Sequence, residues 1–333
     1  MEAGSESRWV IGVIVALEGH LFMSSSTAQP YTLKDYKKDL KSLKAPLSFG
    51  YSNMQRLRIY PGSLTVVTAP TGGGKTAFLL NVLLNLLRDH PEETFVFWTY
   101  EEPAHLIMAK LQTIAVSRLG PTYAFPDFNR ALDQIHSRRG LSKVVQERLE
   151  MVESYVQGKK PRLLLMHQHF DSEKLRYGIE QLHKKYQLSG VILDYVQQVP
   201  SSLSQSSGYL GIKAVVNALR AAATSHDLPI IVAAQVAGED DTLRTREGRD
   251  IEMDASLWVH LETPLEAGQP LHDRRLIKVL KHRYGPTGSP ESLHFEGKAF
   301  AFREINQPDG EIVLTLPSEF YLDESMRIGN EHE

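Results

Sequence analysis

Apolar positions fall along this chain in two rhythms. Between residues 32 and 44 they recur at helical spacing, at Leu33, Tyr36, Leu40 and Leu43, with lysines on the other faces. Thr32 stands where an N-cap is needed and Pro46 lies just past the end, so a short amphipathic helix is expected there. From residue 63 short apolar runs begin to alternate with longer helical ones. Ser63-Leu64-Thr65-Val66-Val67-Thr68 reads as a strand, and a glycine-rich stretch joins it to a helical run over 77–87. Residues 95–100 form a second strand by their aromatic and β-branched content. Helical runs follow near 104–119, 127–138 and 141–157, broken by Gly120-Pro121 and Gly140. Strands are expected at 161–166, 191–194 and 228–235, with a helix capped by Ser172 through Lys185 and another near 211–226. Residues 256–261 and 274–281 read as strands, and 295–303 as a closing hairpin around Glu296-Gly297. Strands alternating with helices imply an α/β fold with a mostly parallel, twisted sheet flanked by helices.

The pattern divides the 333 residues into three segments: an extension over 1–45 carrying the short helix, a core over 46–305, and an acidic tail over 306–333. Trp9 to Leu17 is apolar but too short to span a membrane. Glu2 and Glu6 against Arg8 are the wrong flank for a signal peptide, which leaves an extra strand or a sticky extension, and Met23 opens a second plausible start. With no membrane partner expected, the chain reads as cytoplasmic. It has no cysteine, which excludes disulfides and thiolate metal sites. His167 and His169 follow a strand without nearby carboxylate partners, and read as polar residues at a strand end rather than metal ligands. Net charge is −3, so nucleic-acid binding would have to come from local basic clusters.

The candidate chemistry sits between the first core strand and its helix: Ala69-Pro70-Thr71-Gly72-Gly73-Gly74-Lys75-Thr76. Strand, glycine-rich loop and helix are the context in which such a stretch cradles phosphate oxygens with backbone N–H groups and the helix N-terminus. Lys75 is placed to reach the β/γ phosphates of a bound nucleotide, and the Thr76 hydroxyl to hold Mg²⁺. Ala69 replaces the usual glycine at the first position, which is tolerable if it needs no positive φ. The 95–100 strand delivers Glu101 and Glu102 to its carboxyl end, where ligands of open α/β sheets bind. Both also suit the first turn of the helix that Pro103 starts. Val191-Ile192-Leu193-Asp194 is an apolar strand ending in an acid, the form that holds Mg²⁺ beside a phosphate loop. Gln235 ends another core strand.

Together these stretches resemble the RecA-like ATPases, most closely the motor domain of DnaB-type hexameric replicative helicases. The resemblance runs from about Gly50 to Arg303. It is carried by Gly50-Tyr51, Met54 and Pro61-Gly62-Ser63-Leu64 ahead of the loop, by Phe97-Trp98-Thr99-Tyr100-Glu101, by Ile192-Leu193-Asp194-Tyr195, by Ile251 to Ala255, and most specifically by Lys281-His282-Arg283-Tyr284-Gly285-Pro286-Thr287-Gly288. It implies ATP and Mg²⁺ as cofactors, Glu101 as the catalytic glutamate, and Gln235 as the γ-phosphate sensor. It also implies that Lys281 and Arg283 form the motif whose arginine reaches a neighbour's ATP. The implied activity is ATP-driven, 5′–3′ translocation on single-stranded DNA by a hexameric ring, with a loader or primase protein as a further partner. Arg244, Arg246 and Arg249, in the 238–250 stretch, are candidate DNA contacts lining the ring pore. The first DNA-facing loop, 200–211, has no basic residue before Lys213, so contact there would use backbone N–H and hydroxyl donors. That bare loop and the adjacent acids Glu101-Glu102 also resemble clock-type regulatory ATPase rings that act on protein partners, which is the alternative reading. A strand-exchange filament ranks behind both, because the Lys281–Gly288 motif fits helicases better.

Overall fold

The computed structural model of the protein describes residues 32–42, 44–202, 208–235 and 254–305. It divides into two units, Met1–Lys44 and Ala45–Glu333. In the first, helix α1 (Leu33–Ser42) opens on a reciprocal cap. Asp35 N–H donates to Thr32 Oγ1 at 3.2 Å, while the Asp35 carboxylate accepts from Thr32 N–H at 2.9 Å and from its hydroxyl at 2.6 Å. Leu33, Tyr36 and Leu40 are exposed along α1.

The second unit begins with a short antiparallel pair, β1 (Leu47–Ser48) and β2 (Arg58–Ile59). The main sheet follows: β3 (Leu64–Ala69), β4 (Phe95–Thr99), β5 (Leu163–Met166), β6 (Gly190–Asp194), β7 (Ile230–Gln235) and β8 (Leu257–Glu262). A small hairpin of β9 (Leu265–Glu266) and β10 (Gln269–Pro270) leads to β11 (Arg274–His282), β12 (Glu291–Glu296) and β13 (Ala301–Glu304). Among the described residues nine strands make one sheet in the order β13-β12-β11-β8-β3-β7-β6-β4-β5. The six strands from β8 to β5 are mutually parallel, and β11, β12 and β13 add an antiparallel edge. The closing hairpin is longer than its sequence suggests. β12 already begins at Glu291, because the pairing of Ile277 with Glu291 extends the ladder before the apolar residues start.

The inner parallel strands, β3, β4, β6, β7 and β8, are buried on both faces along nearly their whole length, which is why they read as largely apolar runs, whereas β5 at the edge is partly exposed. Alternate side chains part between two layers: Phe95 and Phe97 face the cluster that holds α2 (Lys75–Asp89) and α3 (Ala104–Ser117), while Val96 and Trp98 face α6 (Ser172–Tyr186) and α7 (Gly208–His226). Two further helices, α4 (Phe128–Ser137) and α5 (Lys143–Ser154), build a satellite cluster with the end of α3. The cap of α6 is Asp171, not Ser172: the Asp171 carboxylate accepts from Lys174 N–H at 2.9 Å and Ser172 is the first helical residue. A carboxylate at this position also favours the positive helix end, which a hydroxyl does less well. Among the described residues no helix is long and apolar enough to cross a membrane.

Candidate active site

The phosphate-type loop leaves the sheet at the end of β3. Ala69 is the last residue of that strand and does not adopt positive φ, so a methyl is accommodated there. That methyl then dictates the loop. A Cβ added at Gly73 would lie 2.8 Å from Ala69 Cβ and 2.9 Å from Pro70 O, and the Gly73 N–H donates to Pro70 O at 2.9 Å. Gly72 and Gly74 hold φ of 73° and 93°, the left-handed region that glycine occupies without strain. Gly74 caps α2 without a side-chain hydrogen bond, and the first turn holds no acid. The N–H groups and positive end of α2 are thus left for an anion.

Around this loop the sheet gathers the polar ends of β4, β6 and β7. Thr76 Oγ1 donates to Asp194 Oδ2 at 2.6 Å. Asp194 is buried at the tip of β6, and its second oxygen, Oδ1, is buried with no hydrogen-bond partner among the described residues. Burial pushes its pKa up to about 6, with the neighbouring charges of Glu101 and Glu102 adding to the shift and Thr76 and Lys75 opposing it. A hydroxyl–carboxylate pair with one buried oxygen left over suits a hard divalent cation that needs a few protein oxygens and otherwise coordinates water and phosphate. Lys75 Nζ rests 3.4 Å from Ala69 O; burial lowers its pKa, while Asp194 and Glu101 hold it up. Gln235 Nε2 donates to Thr71 Oγ1 at 2.6 Å, so the tip of β7 touches the loop directly.

The two adjacent acids separate cleanly. Glu102 is tied down: its N–H donates to Thr99 Oγ1 at 3.1 Å, its carbonyl accepts from the same hydroxyl at 3.0 Å, and its carboxylate pairs with Lys110 at 2.5 Å. Glu101 is exposed and has no side-chain partner among the described residues. Its charge is close enough to act on both Lys75 and Asp194. The feature that resembled regulatory rings in the sequence is therefore one free acid beside one paired acid.

Several residues of the site carry no sequence motif. Arg275, near the start of β11, is buried; its Nε donates to Gly73 O at 3.1 Å and its guanidinium lies 4.5 Å from the Phe295 ring centroid. A usable signal existed: Arg275 shares the strand phase of buried Ile277, so an arginine stands where an apolar residue is expected. Gln197 brackets the β7 tip, donating to Gln235 O at 2.8 Å and accepting from Gln235 N–H at 3.1 Å. Behind the loop, Thr68 Oγ1 accepts from Trp258 Nε1 at 2.8 Å and lies 3.0 Å from His260 Nδ1. No pattern in the sequence marks either group.

Lys281 and Arg283 lie elsewhere. β11 runs antiparallel to β8, with His282 opposite Leu257, and Leu257 pairs with Thr65 of β3. Arg283 is therefore level with the start of β3, four residues before the loop, or about 13 Å along the strand at roughly 3.3 Å per residue. The Arg283 N–H donates to Ser256 O at 2.8 Å, and its exposed side chain has no partner among the described residues. Pairing with Asp194 or Glu101 of its own chain is not seen. The loop after it is held by Arg56, which donates to Thr287 O at 2.9 Å and Ser289 O at 2.7 Å. Arg244, Arg246 and Arg249 lie outside the described residues.

The profile of the DnaB-like helicase C terminal domain family matches residues 48–304. The replicative DNA helicase DnaB of Mycoplasma genitalium is 24% identical over 277 residues, covering 77% of this chain and 56% of that protein. The chain thus spans little more than half the length of this curated relative. Two solved structures share the fold, each with a TM-score of 0.64 at 18% identity over 82% of this chain. One is a DnaB-like replicative helicase, described with its interactions with primase, of which 68% is covered. The other is an ATPase domain, of which 97% is covered.

Proposed function

This chain belongs to the DnaB-like helicase C-terminal domain family, and we propose that it is an ATP-hydrolysing motor that moves along single-stranded DNA as a hexameric ring. The observation that carries the reading is the split of its motifs between opposite ends of the sheet. The loop, Thr76, Asp194, Glu101 and Gln235 share one end, and exposed Arg283 marks the other. An arginine so placed serves a neighbour's nucleotide, not its own, and repeated head-to-tail contacts of that kind close into a ring.

In this reading the backbone N–H groups from Thr71 to Thr76 and the start of α2 hold the phosphates. Lys75 draws the γ-phosphate in, and Gln235 senses it. Thr76 and Asp194 would hold Mg²⁺, which when bound neutralises phosphate charge. Glu101, free of any ion pair among the described residues, orients the attacking water and takes its proton. Arg283 of the adjacent subunit stabilises the charge that develops on the transferred phosphoryl group. Lys281 supports the same contact. Arg244, Arg246 and Arg249 are assigned to DNA phosphates, and a loader or primase protein is the further partner.

The test is steady-state ATPase with and without single-stranded oligonucleotide. Stimulation by DNA is expected. Arg244→Ala, Arg246→Ala and Arg249→Ala should each lower the slope of log K against log salt by roughly 0.7. ATPase indifferent to DNA, with binding unchanged in the triple variant, would overturn the reading in favour of a ring acting on proteins.

A further inference from the structure

A cavity of about 320 Å³ opens beside the C-terminal half of α2, among Leu87, Met151, Tyr155 and four arginines, Arg88, Arg118, Arg148 and Arg162. Among the described residues no carboxylate lines it. Leu87 lies twelve residues along α2 from Lys75, about 18 Å at 1.5 Å per residue, so this space is separate from the phosphate loop.

Two of the arginines have an ordinary structural use. Arg162 Nη2 donates to Leu87 O, and Arg88 stands in the last turn of α2, where cations suit the negative helix end. Arg88 also pairs with Asp89 at 2.7 Å. All four guanidinium groups, whatever else each of them bonds, converge on this one space. Arg118, just past α3, is buried, and its Nη2 donates to Asn81 O and Asn81 Oδ1 at 3.2 Å each. Arg148 enters the same space from α5. Arg162 stacks 4.8 Å over the Tyr155 ring, and its Nε is buried without a hydrogen-bond partner among the described residues. Burial pushes the Arg118 pKa down to about 10, and the charges of Arg88, Arg303 and Arg148 push the same way. Concentrating guanidinium groups in a part-buried space is costly unless oxygen acceptors enter it.

We propose that this cavity binds a small phosphate-bearing anion of the diphosphate class, as a site distinct from the nucleotide site. Guanidinium forks match phosphate oxygens two at a time, and two linked phosphates present enough oxygens for several forks. The volume lies at the small end of the range for ligand sites, roughly 300–1,000 Å³, which suits a compact anion rather than a polymer.

The experiment is calorimetric titration of the full chain with inorganic pyrophosphate at low salt, in a Lys75→Ala background that disables the phosphate loop. One binding event per chain is expected. Arg148→Gln and Arg162→Gln should each weaken it by about tenfold or more, the loss of a charge-assisted contact. Arg148→Lys, which keeps the charge but not the fork, should fall between wild type and Arg148→Gln, and thermal melts of each variant establish that it folds. No binding in the Lys75→Ala protein, or equal binding in the two glutamine variants, overturns the proposal. Displacement of pyrophosphate by a short oligothymidylate, lost in the same variants, would overturn it too, since the site would then belong to nucleic acid.

Discussion

Arg283→Ala and Lys75→Ala break opposite halves of the proposed interface, and mixing them tests the placement of Arg283 directly. The register His282–Leu257–Thr65 puts Arg283 about 13 Å along the sheet from the start of its own loop, at roughly 3.3 Å per residue over four residues. It therefore acts across a boundary or not at all. Each variant alone should hydrolyse ATP at background, since arginine fingers contribute about 10³–10⁵ in rate where measured in GTPases. In a ring assembled from an equal mixture, a working interface needs an Arg283→Ala subunit, whose loop is intact, facing a Lys75→Ala subunit, whose arginine is intact. Random assembly supplies that arrangement at about one interface in four of a closed ring with directional contacts. Independent sites then recover up to about a quarter of the wild-type rate, and sites that must fire in concert recover less. The assay is coupled ATPase across mixing ratios, with native mass spectrometry confirming mixed rings. No recovery at any ratio in confirmed mixed rings, or full activity of Arg283→Ala as a monomer, refutes the reasoning.

Glu101→Gln should bind ATP and lose turnover, whereas Glu102→Gln, which releases Lys110 and removes a minor charge effect on Asp194, should keep most of it; the reverse result in a filter-binding and ATPase comparison would exchange their roles. The raised pKa of Asp194 means that the native state holds its proton more tightly than the unfolded chain. Its favourable contribution is therefore present below pH about 4 and declines as pH rises through about 6. Asp194→Asn, in EDTA and without nucleotide, should remove that decline and raise stability above pH 6 by up to about 3 kcal/mol. The gain is reduced by the charge that Lys75 loses beside it, and an unchanged pH–melting profile between 4 and 6 would contradict it. Asn81 donates to Ala77 O and Phe300 O and accepts from Phe302 N–H and Arg118, so Asn81→Ala should cost about 3–5 kcal/mol in denaturant unfolding by leaving several buried groups unpaired. A loss below about 1 kcal/mol would mean that water replaces the amide.

Much of this protein is legible in one dimension. Strands with both faces buried are runs of apolar residues, and helices carry a 3.6-residue stripe, so β3, β4, β6 and β7 and the helices between them follow from local pattern. The phosphate-type loop is legible for the same reason: its glycines answer short-range demands, a positive φ at Gly72 and Gly74 and the lack of room at Gly73, where an added Cβ would lie 2.8 Å from Ala69 Cβ. What local pattern does not carry is which strand lies beside which, and in what direction. The order β8-β3-β7-β6-β4 brings Asp194 to Thr76 across 118 residues of chain and sets Gln235 against Thr71. The choice between Glu101 and Glu102 rests on Lys110, a residue no spacing rule links to them. Arg275 and Arg283 stand on and just after one strand, yet the first reaches the loop and the second lies at the opposite end of the sheet. That difference arises because β11 runs antiparallel to β8. Strand direction and register are fixed by packing between segments far apart in sequence, which periodicity within a segment does not encode.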